Sequence, residues 1–161
     1  MSKWTPPTAA QRLQILCDAR TVAIVGASPK ASRPSNFVAT YLLAESAYEV
    51  YFVHPEATEI LGRPVYPSLA EVPVVPDIVD VFRRTDELPA VTDEVIAKGS
   101  TVLWFQLGLR DERSAQRAHE AGLGVVMDRC LKIEHARFKG GLHLVGFDTG
   151  VISSRRRPEL R

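Results

Sequence analysis

Short apolar runs alternate along the chain with longer segments whose apolar residues recur every three or four positions. The runs are 21–25 (TVAIV), 49–53 (EVYFV), 77–82 (DIVDVF), 101–105 (TVLWF) and 123–127 (LGVVM). These are strand lengths, and runs apolar on both faces suit a parallel sheet covered on both sides. The segments between them read as helices. An opening helix from about Ala9 to Ala19 turns Leu13, Leu16 and Cys17 toward the sheet. Residues 35–46 place Phe37, Val38, Tyr41 and Leu42 on one face, behind an N-cap at Ser35. Residues 86–98 do the same with Leu88, Val91, Val95 and Ile96, with Asp86 as cap and Pro89 in the tolerant first turn. Residues 111–121 start at Asp111 and stop before Gly122.

The connection between the second and third runs is different. It carries Pro64, Pro67, Pro73 and Pro76, with Ile60, Leu61, Val65 and Leu69 as scattered anchors, so only a short extra helix or strand fits there. Strand–helix–strand units joined in this way predict an α/β fold: a Rossmann-like, doubly wound, five-stranded parallel sheet of order 3-2-1-4-5. Its switch point falls between the first and fourth strands, where ligands collect. The 161 residues make one domain, with a core of about 9–138 and a tail over 139–161. No internal repeat or low-complexity block interrupts it.

Composition narrows the function classes. Hydrophobic residues are 45% of the chain, enough for a buried core, and the net charge of +1 gives no global attraction to nucleic acid or an anionic membrane. An anion site must therefore be local. Cys17 and Cys130 form no disulfide framework, the start MSKWTPPTAAQRL holds no apolar export segment, and no run is long enough for a membrane span. A cytoplasmic protein is expected. His54, His119, His135 and His143 do not cluster, so no metal site is expected. The tail ends in a basic patch, Arg155-Arg156-Arg157 with Arg161, which reads as a solvated end, or else as a contact for nucleic acid or an acidic surface, and no nucleic-acid partner is expected. Trp4 and Leu142–Phe147 are available for a protein partner or a homo-oligomer, whereas Trp104 reads as core.

The chemistry concentrates in one loop. The first strand runs into Gly26-Ala27-Ser28-Pro29-Lys30-Ala31-Ser32-Arg33-Pro34-Ser35, and a helix comes next. Gly26 permits a sharp turn, and small Ala27 and Ser28 let backbone N–H groups approach a ligand. A helix N-terminus at Ser35–Asn36 offers unpaired donors and a positive dipole end, and Lys30 and Arg33 add charge, Arg33 in a form that can fork onto phosphate. An ordinary strand–helix loop would explain a lone glycine but not this company. The dinucleotide pattern G-x-G-x-x-G is absent, since Ser28 and Ala31 stand at its second and third glycines, and no Walker A loop is present.

In such a fold the carboxyl ends of the strands face one crevice. There lie Gly26–Ser28, His54–Pro55, Phe82–Arg83, Gln106–Gly108 and Asp128–Cys130. Arg83 either reaches a phosphate or pairs with Asp86. Asp80, inside an apolar run, is expected as a hydrogen-bonded structural carboxylate. Asp128 and Arg129 are expected as an ion pair bracing the last loop. Cys130 is the one nucleophile in reach, and only His135 lies near it in sequence, so catalysis is not expected.

The segments VAIVGASPKASRPS (22–35), LGRPVYPSLAEVP (61–73), DIVDVFRR (77–84), WFQLGLRDE (104–112) and MDRCLKIEHARF (127–138) together resemble the stand-alone CoA-binding domain proteins. These are related to the CoA-binding N-terminal domain of the succinyl-CoA synthetase alpha subunit and of ADP-forming acyl-CoA synthetases. The likeness covers about Thr21 to Phe138. It implies coenzyme A as the ligand. The diphosphate would lie on Gly26, Ala27, Ser28, Arg33 and Ser35, and the adenosine against Val53, His54 and Pro55 with Phe82 and Arg83 nearby. The pantetheine arm would pass Gln106 and Gly108 toward Cys130. One departure stands out: where the family carries Asn-Pro-Lys after its second strand, this chain has His54-Pro55-Glu56. The family lysine would partner an adenosine-side phosphate, which a glutamate repels; Lys30, Arg33 or Arg63 are candidates to compensate.

The synthetases also need a phosphohistidine domain and a nucleotide-grasp subunit, for which a single domain has no room. Non-catalytic binding of CoA or an acyl-CoA is therefore the expected function. Two alternatives remain: an NAD(P)-dependent oxidoreductase, for which Glu56 is the best argument, and a regulatory or scaffold domain recruiting a partner.

Overall fold

The computed structural model describes residues 2–140. Helix α1 (Ala9–Asp18) opens on a capping box in which Thr8 accepts from the Gln11 N–H and Gln11 accepts from the Thr8 N–H. It buries Leu13, Leu16 and Cys17, as its periodicity predicts. The remaining elements are β1 (Thr21–Val25), α2 (Pro34–Glu45), β2 (Glu49–Val53), β3 (Glu59–Ile60), β4 (Arg63–Tyr66), β5 (Ile78–Val81), α3 (Leu88–Lys98), β6 (Val102–Phe105), α4 (Glu112–Glu120), β7 (Gly124–Val126) and α5 (Leu131–Lys139).

The strands form one sheet of order β3-β4-β2-β1-β5-β6-β7, parallel throughout except for the β3–β4 pair. The five runs read from the sequence are β1, β2, β5, β6 and β7. The third of them, β5, lies beside β1 and not beyond β2, so the expected strand count and order are corrected. The place beyond β2 belongs to β4, from the proline-rich connection. Its hairpin partner turns through Leu61 and Gly62, both at positive φ (49° and 74°), the geometry of a two-residue primed turn. Leucine in place of the usual Asn or Asp hides that turn, and Pro64 argues against a strand. Counting β4 as the third parallel strand restores a 3-2-1-4-5-6 order, with the switch point between β1 and β5.

Period-two alternation divides the core. Val22, Ile24, Ile78 and Trp104 pack with α1, α2 and α5, whereas Ala23, Val25, Val79, Val81 and Phe105 pack with α3 and α4. Trp104 is fully buried and donates to the Arg129 carbonyl at 2.8 Å. Trp4 is tied to its own chain, its N–H on Gln116 Oε1 and its ring Nε1 on the Val125 carbonyl. Three helix readings change. Phe37 is 55% exposed, because α2 turns Val38, Ala39 and Leu42 inward instead. Ser35 lies inside the first turn of α2, whose N-cap is Arg33 followed by Pro34. Asp86 sits in a 3-10 turn (Thr85–Glu87) ahead of α3, which starts at Leu88. The tail positions Leu142–Phe147, His143, Arg155–Arg157 and Arg161 lie outside the described residues.

Asp80 sits in register between Ile24 and Trp104 in the middle of the sheet. It is fully buried, and neither carboxyl oxygen has a hydrogen-bond partner among the described residues, contrary to the bonded carboxylate expected. Desolvation pushes its carboxyl well above the usual carboxylate range, so the folded protein holds it neutral. The unfolded chain releases that proton above about pH 4 while the fold retains it, so stability falls as pH rises through that window. Replacing Asp80 by Asn removes this slope. The stability of D80N relative to the parent is expected to rise with pH above about pH 4, read by urea unfolding. A pH-independent difference would mean that Asp80 titrates normally.

Candidate functional site

The strands end at Val25, Val53, Val81 and Phe105, and the loops that leave these four ends build the site. After β1, Gly26 adopts φ +85°, and a β-carbon there would lie 2.0 Å from the Phe82 carbonyl oxygen. Phe82 in turn donates its N–H to the Val25 carbonyl at 2.8 Å. Only glycine lets β1 and β5 stay this close while the chain leaves toward α2. The N–H groups of Gly26 and Ala27 both donate to the Val53 carbonyl, at 3.0 and 3.2 Å. They face β2, which corrects the expectation that Ala27 offers its N–H to a ligand.

The donors left for a ligand come next. The N–H groups of Ser28 and Ser35 have no partner among the described residues, and Ser35 lies in the first turn of α2, at the positive end of its dipole. The loop between them is shaped by its own bonds. Lys30 N–H donates to Ser28 Oγ, Arg33 N–H to the Lys30 carbonyl, and the buried Asn36 amide to the Ser28 carbonyl at 3.0 Å. The Asn36 N–H, expected as a donor for a ligand, goes instead to the Arg33 carbonyl at 3.0 Å, and the bracing role of its side-chain amide has no sequence signature of its own.

A cleft of about 660 Å³ opens over these strand ends. Gly26, Ala27, Ser28, Lys30, Arg33, Ser35, His54, Phe82, Arg83 and Gln106 line it, as their positions predict. Four anticipated residues stand outside its lining. Val53 is buried beneath it. Pro55 is exposed beside His54. Gly108 donates its N–H to Asp128 Oδ1 at 2.7 Å. Cys130 caps α5 and packs, partly buried, against the core on the α1 and α2 face. His135, its neighbour in sequence, is fully buried with Nδ1 bonded to the Tyr41 hydroxyl at 2.8 Å. The cleft adds Arg84, Glu87, Leu107 and Leu109. Leu107, 60% exposed, was readable as an apolar residue in a loop directly after a strand.

The charge in the cleft is mostly positive. Lys30, Arg33 and Arg83 have no carboxylate partner among the described residues. Arg84, not Arg83, pairs with Asp86 at 3.4 Å and with Glu87 at 3.8 Å. Asp128, at φ +59°, holds Arg110 at 3.3 Å, while Arg129 goes to Glu134 at 3.2 Å, so the expected Asp128–Arg129 pair is not made. Gln106 links the cleft to α5, its Oε1 accepting from the Leu131 N–H at 3.4 Å. His54 Nδ1 accepts from the N–H groups of Glu56 and Ala57, which leaves Nε2 to carry the ring proton. No group of three His, Cys, Asp or Glu side chains among the described residues is placed to hold a metal ion, and no helix there is long and apolar enough to cross a membrane.

Residues 20–136 match the family described as the CoA binding domain. The chain is 37% identical over 130 residues to the uncharacterized protein YneT of Bacillus subtilis, covering 81% of this chain and 96% of that protein. It is similar to the solved structure of a hypothetical protein from Pyrococcus horikoshii, with 37% identity, a TM-score of 0.78, and coverage of 85% of this chain and 98% of that one. A stretch of 75 residues, 47% of this chain, is 33% identical to 11% of an ADP-forming acetate–CoA ligase from Archaeoglobus fulgidus.

Two glycines of the site separate two kinds of constraint. Gly26 and Gly108 both have positive φ, but a β-carbon on Gly108 meets nothing within 4 Å. Alanine is therefore expected to cost about 1 kcal/mol at Gly108 and about 2–4 kcal/mol at Gly26, measured by chemical unfolding. Equal costs would contradict the close approach of β1 to Phe82.

Proposed function

The chain belongs to the CoA binding domain family, and we propose that it holds coenzyme A or an acyl-CoA in the cleft over β1, β2, β5 and β6. The observation that carries this reading is the set of cations without a carboxylate partner among the described residues, Lys30, Arg33 and Arg83, gathered at the switch point around the first turn of α2. In this reading the diphosphate takes the N–H groups of Ser28 and Ser35 and the side chains of Lys30 and Arg33. The adenosine lies toward His54 at the end of β2. The pantetheine arm runs past Phe82 and Gln106 along the apolar Leu107 and Leu109. A cleft of about 660 Å³ falls within the usual ~300–1,000 Å³ of cofactor sites. The likeness to part of an ADP-forming acetate–CoA ligase supports the same ligand.

The proposed role is binding without chemistry on the thioester. Supporting it, the cleft lining brings no hydroxyl or thiol into a hydrogen bond with a base among the described residues. Cys17 and Cys130 form no disulfide, the usual state in a reducing cytoplasm, which is the proposed setting.

Calorimetric titration with CoA tests the reading. R33A and R83A are each expected to weaken binding by about tenfold, and affinity should fall as salt rises from about 0.05 M to about 0.5 M. Binding of NADH with none of CoA would contradict the reading and favour the oxidoreductase.

A further inference from the structure

We infer that the cleft selects an adenosine diphosphate whose ribose hydroxyls are free, so that 3′-dephospho-CoA binds more tightly than CoA. The inference rests on the CoA reading above and concerns the end of β2. Charge in the cleft is segregated. Lys30 and Arg33 stand on the loop after β1, and Arg83 and Arg84 after β5, whereas the end of β2 contributes only His54 and Glu56. In a doubly wound sheet the diphosphate sits at the helix after β1 and the ribose over the end of β2. A carboxylate there accepts hydroxyl protons and offers a phosphate dianion no donor.

Glu56 is held at that point. The His54 N–H donates to the Tyr66 carbonyl at 3.0 Å, and His54 Nδ1 accepts from the Glu56 and Ala57 N–H groups at 3.0 and 2.8 Å. The Glu56 carboxylate has no cation partner among the described residues, so its charge faces the cleft unneutralised. Arg63 does not compensate. Val65 and Tyr66 pair in parallel with Phe52 and Val53, which places Arg63 upstream of that pairing, toward the opposite end of β2, and it is not in the cleft lining. His54 supplies at most the Nε2 proton.

The test is titration of the full chain and of E56Q with CoA and with dephospho-CoA. Glu56 is exposed, so the variant should fold as the parent does. The parent is expected to bind dephospho-CoA about tenfold more tightly than CoA. E56Q should close most of that gap by improving CoA, with little change for dephospho-CoA. CoA binding as tightly as dephospho-CoA, or a gap that survives E56Q, overturns the inference and leaves the CoA reading standing. Failure of both ligands to bind the parent overturns the two together.

Discussion

The Phe82 carbonyl oxygen occupies the space where a side chain on residue 26 would begin. The site depends on this single contact. Because residue 26 is glycine, β1 and β5 remain hydrogen-bonded up to their last residues, and the chain can leave β1 at a steep angle. That departure sends the Gly26 and Ala27 N–H groups onto the Val53 carbonyl and so locks the end of β2 to the start of the loop. The strand ends then stand level, with α2 starting beside them and its dipole directed at the cleft. The three elements that would hold a diphosphate, an adenosine and a pantetheine arm are set relative to one another by two backbone contacts.

Beneath that floor lies an unusual layer. Two residues further along each strand from Ile24, Asp80 and Trp104 stand Gly26, Phe82 and Gln106, so the buried Asp80 sits one layer below the cleft. A buried carboxyl without hydrogen-bond partners among the described residues weakens the centre of the sheet. The layer above is braced differently, by polar links across loops: Gln106 to Leu131, and Asp128 to both Gly108 and Arg110. These links join the loop after β6 to the start of α5. They fix the side of the cleft opposite β2 without placing a charge in it.

Much of the fold was legible because it rests on local signals. Apolar runs at strand length, Asp111 at the start of a helix, and Gly26 after a strand each have one dominant physical reading, and each is found in place. The hairpin of β3 and β4 was not legible as such. Two paired residues, a Leu-Gly turn and an internal proline carry almost no pattern, and with that strand uncounted the order came out wrong. Partner choice was also hidden. Whether Arg83 or Arg84 meets Asp86, and whether Asp128 meets Arg129 or Arg110, depends on the direction each side chain takes from its loop, which charge alone does not set. The same limit applies to Cys130. Its position after β7 pointed it at the crevice, whereas its place at the start of α5 turns it to the core.

The central claim is that CoA occupies the cleft at the switch point. Amide chemical shifts of isotope-labelled protein, tracked through a CoA titration, test it most directly. The account predicts the largest shifts at Ser28, Lys30, Ser35, His54, Arg83 and Gln106. Shifts centred instead on the separate cavity of about 640 Å³ beside Trp4 and Gln116, or no shifts at all, would contradict it.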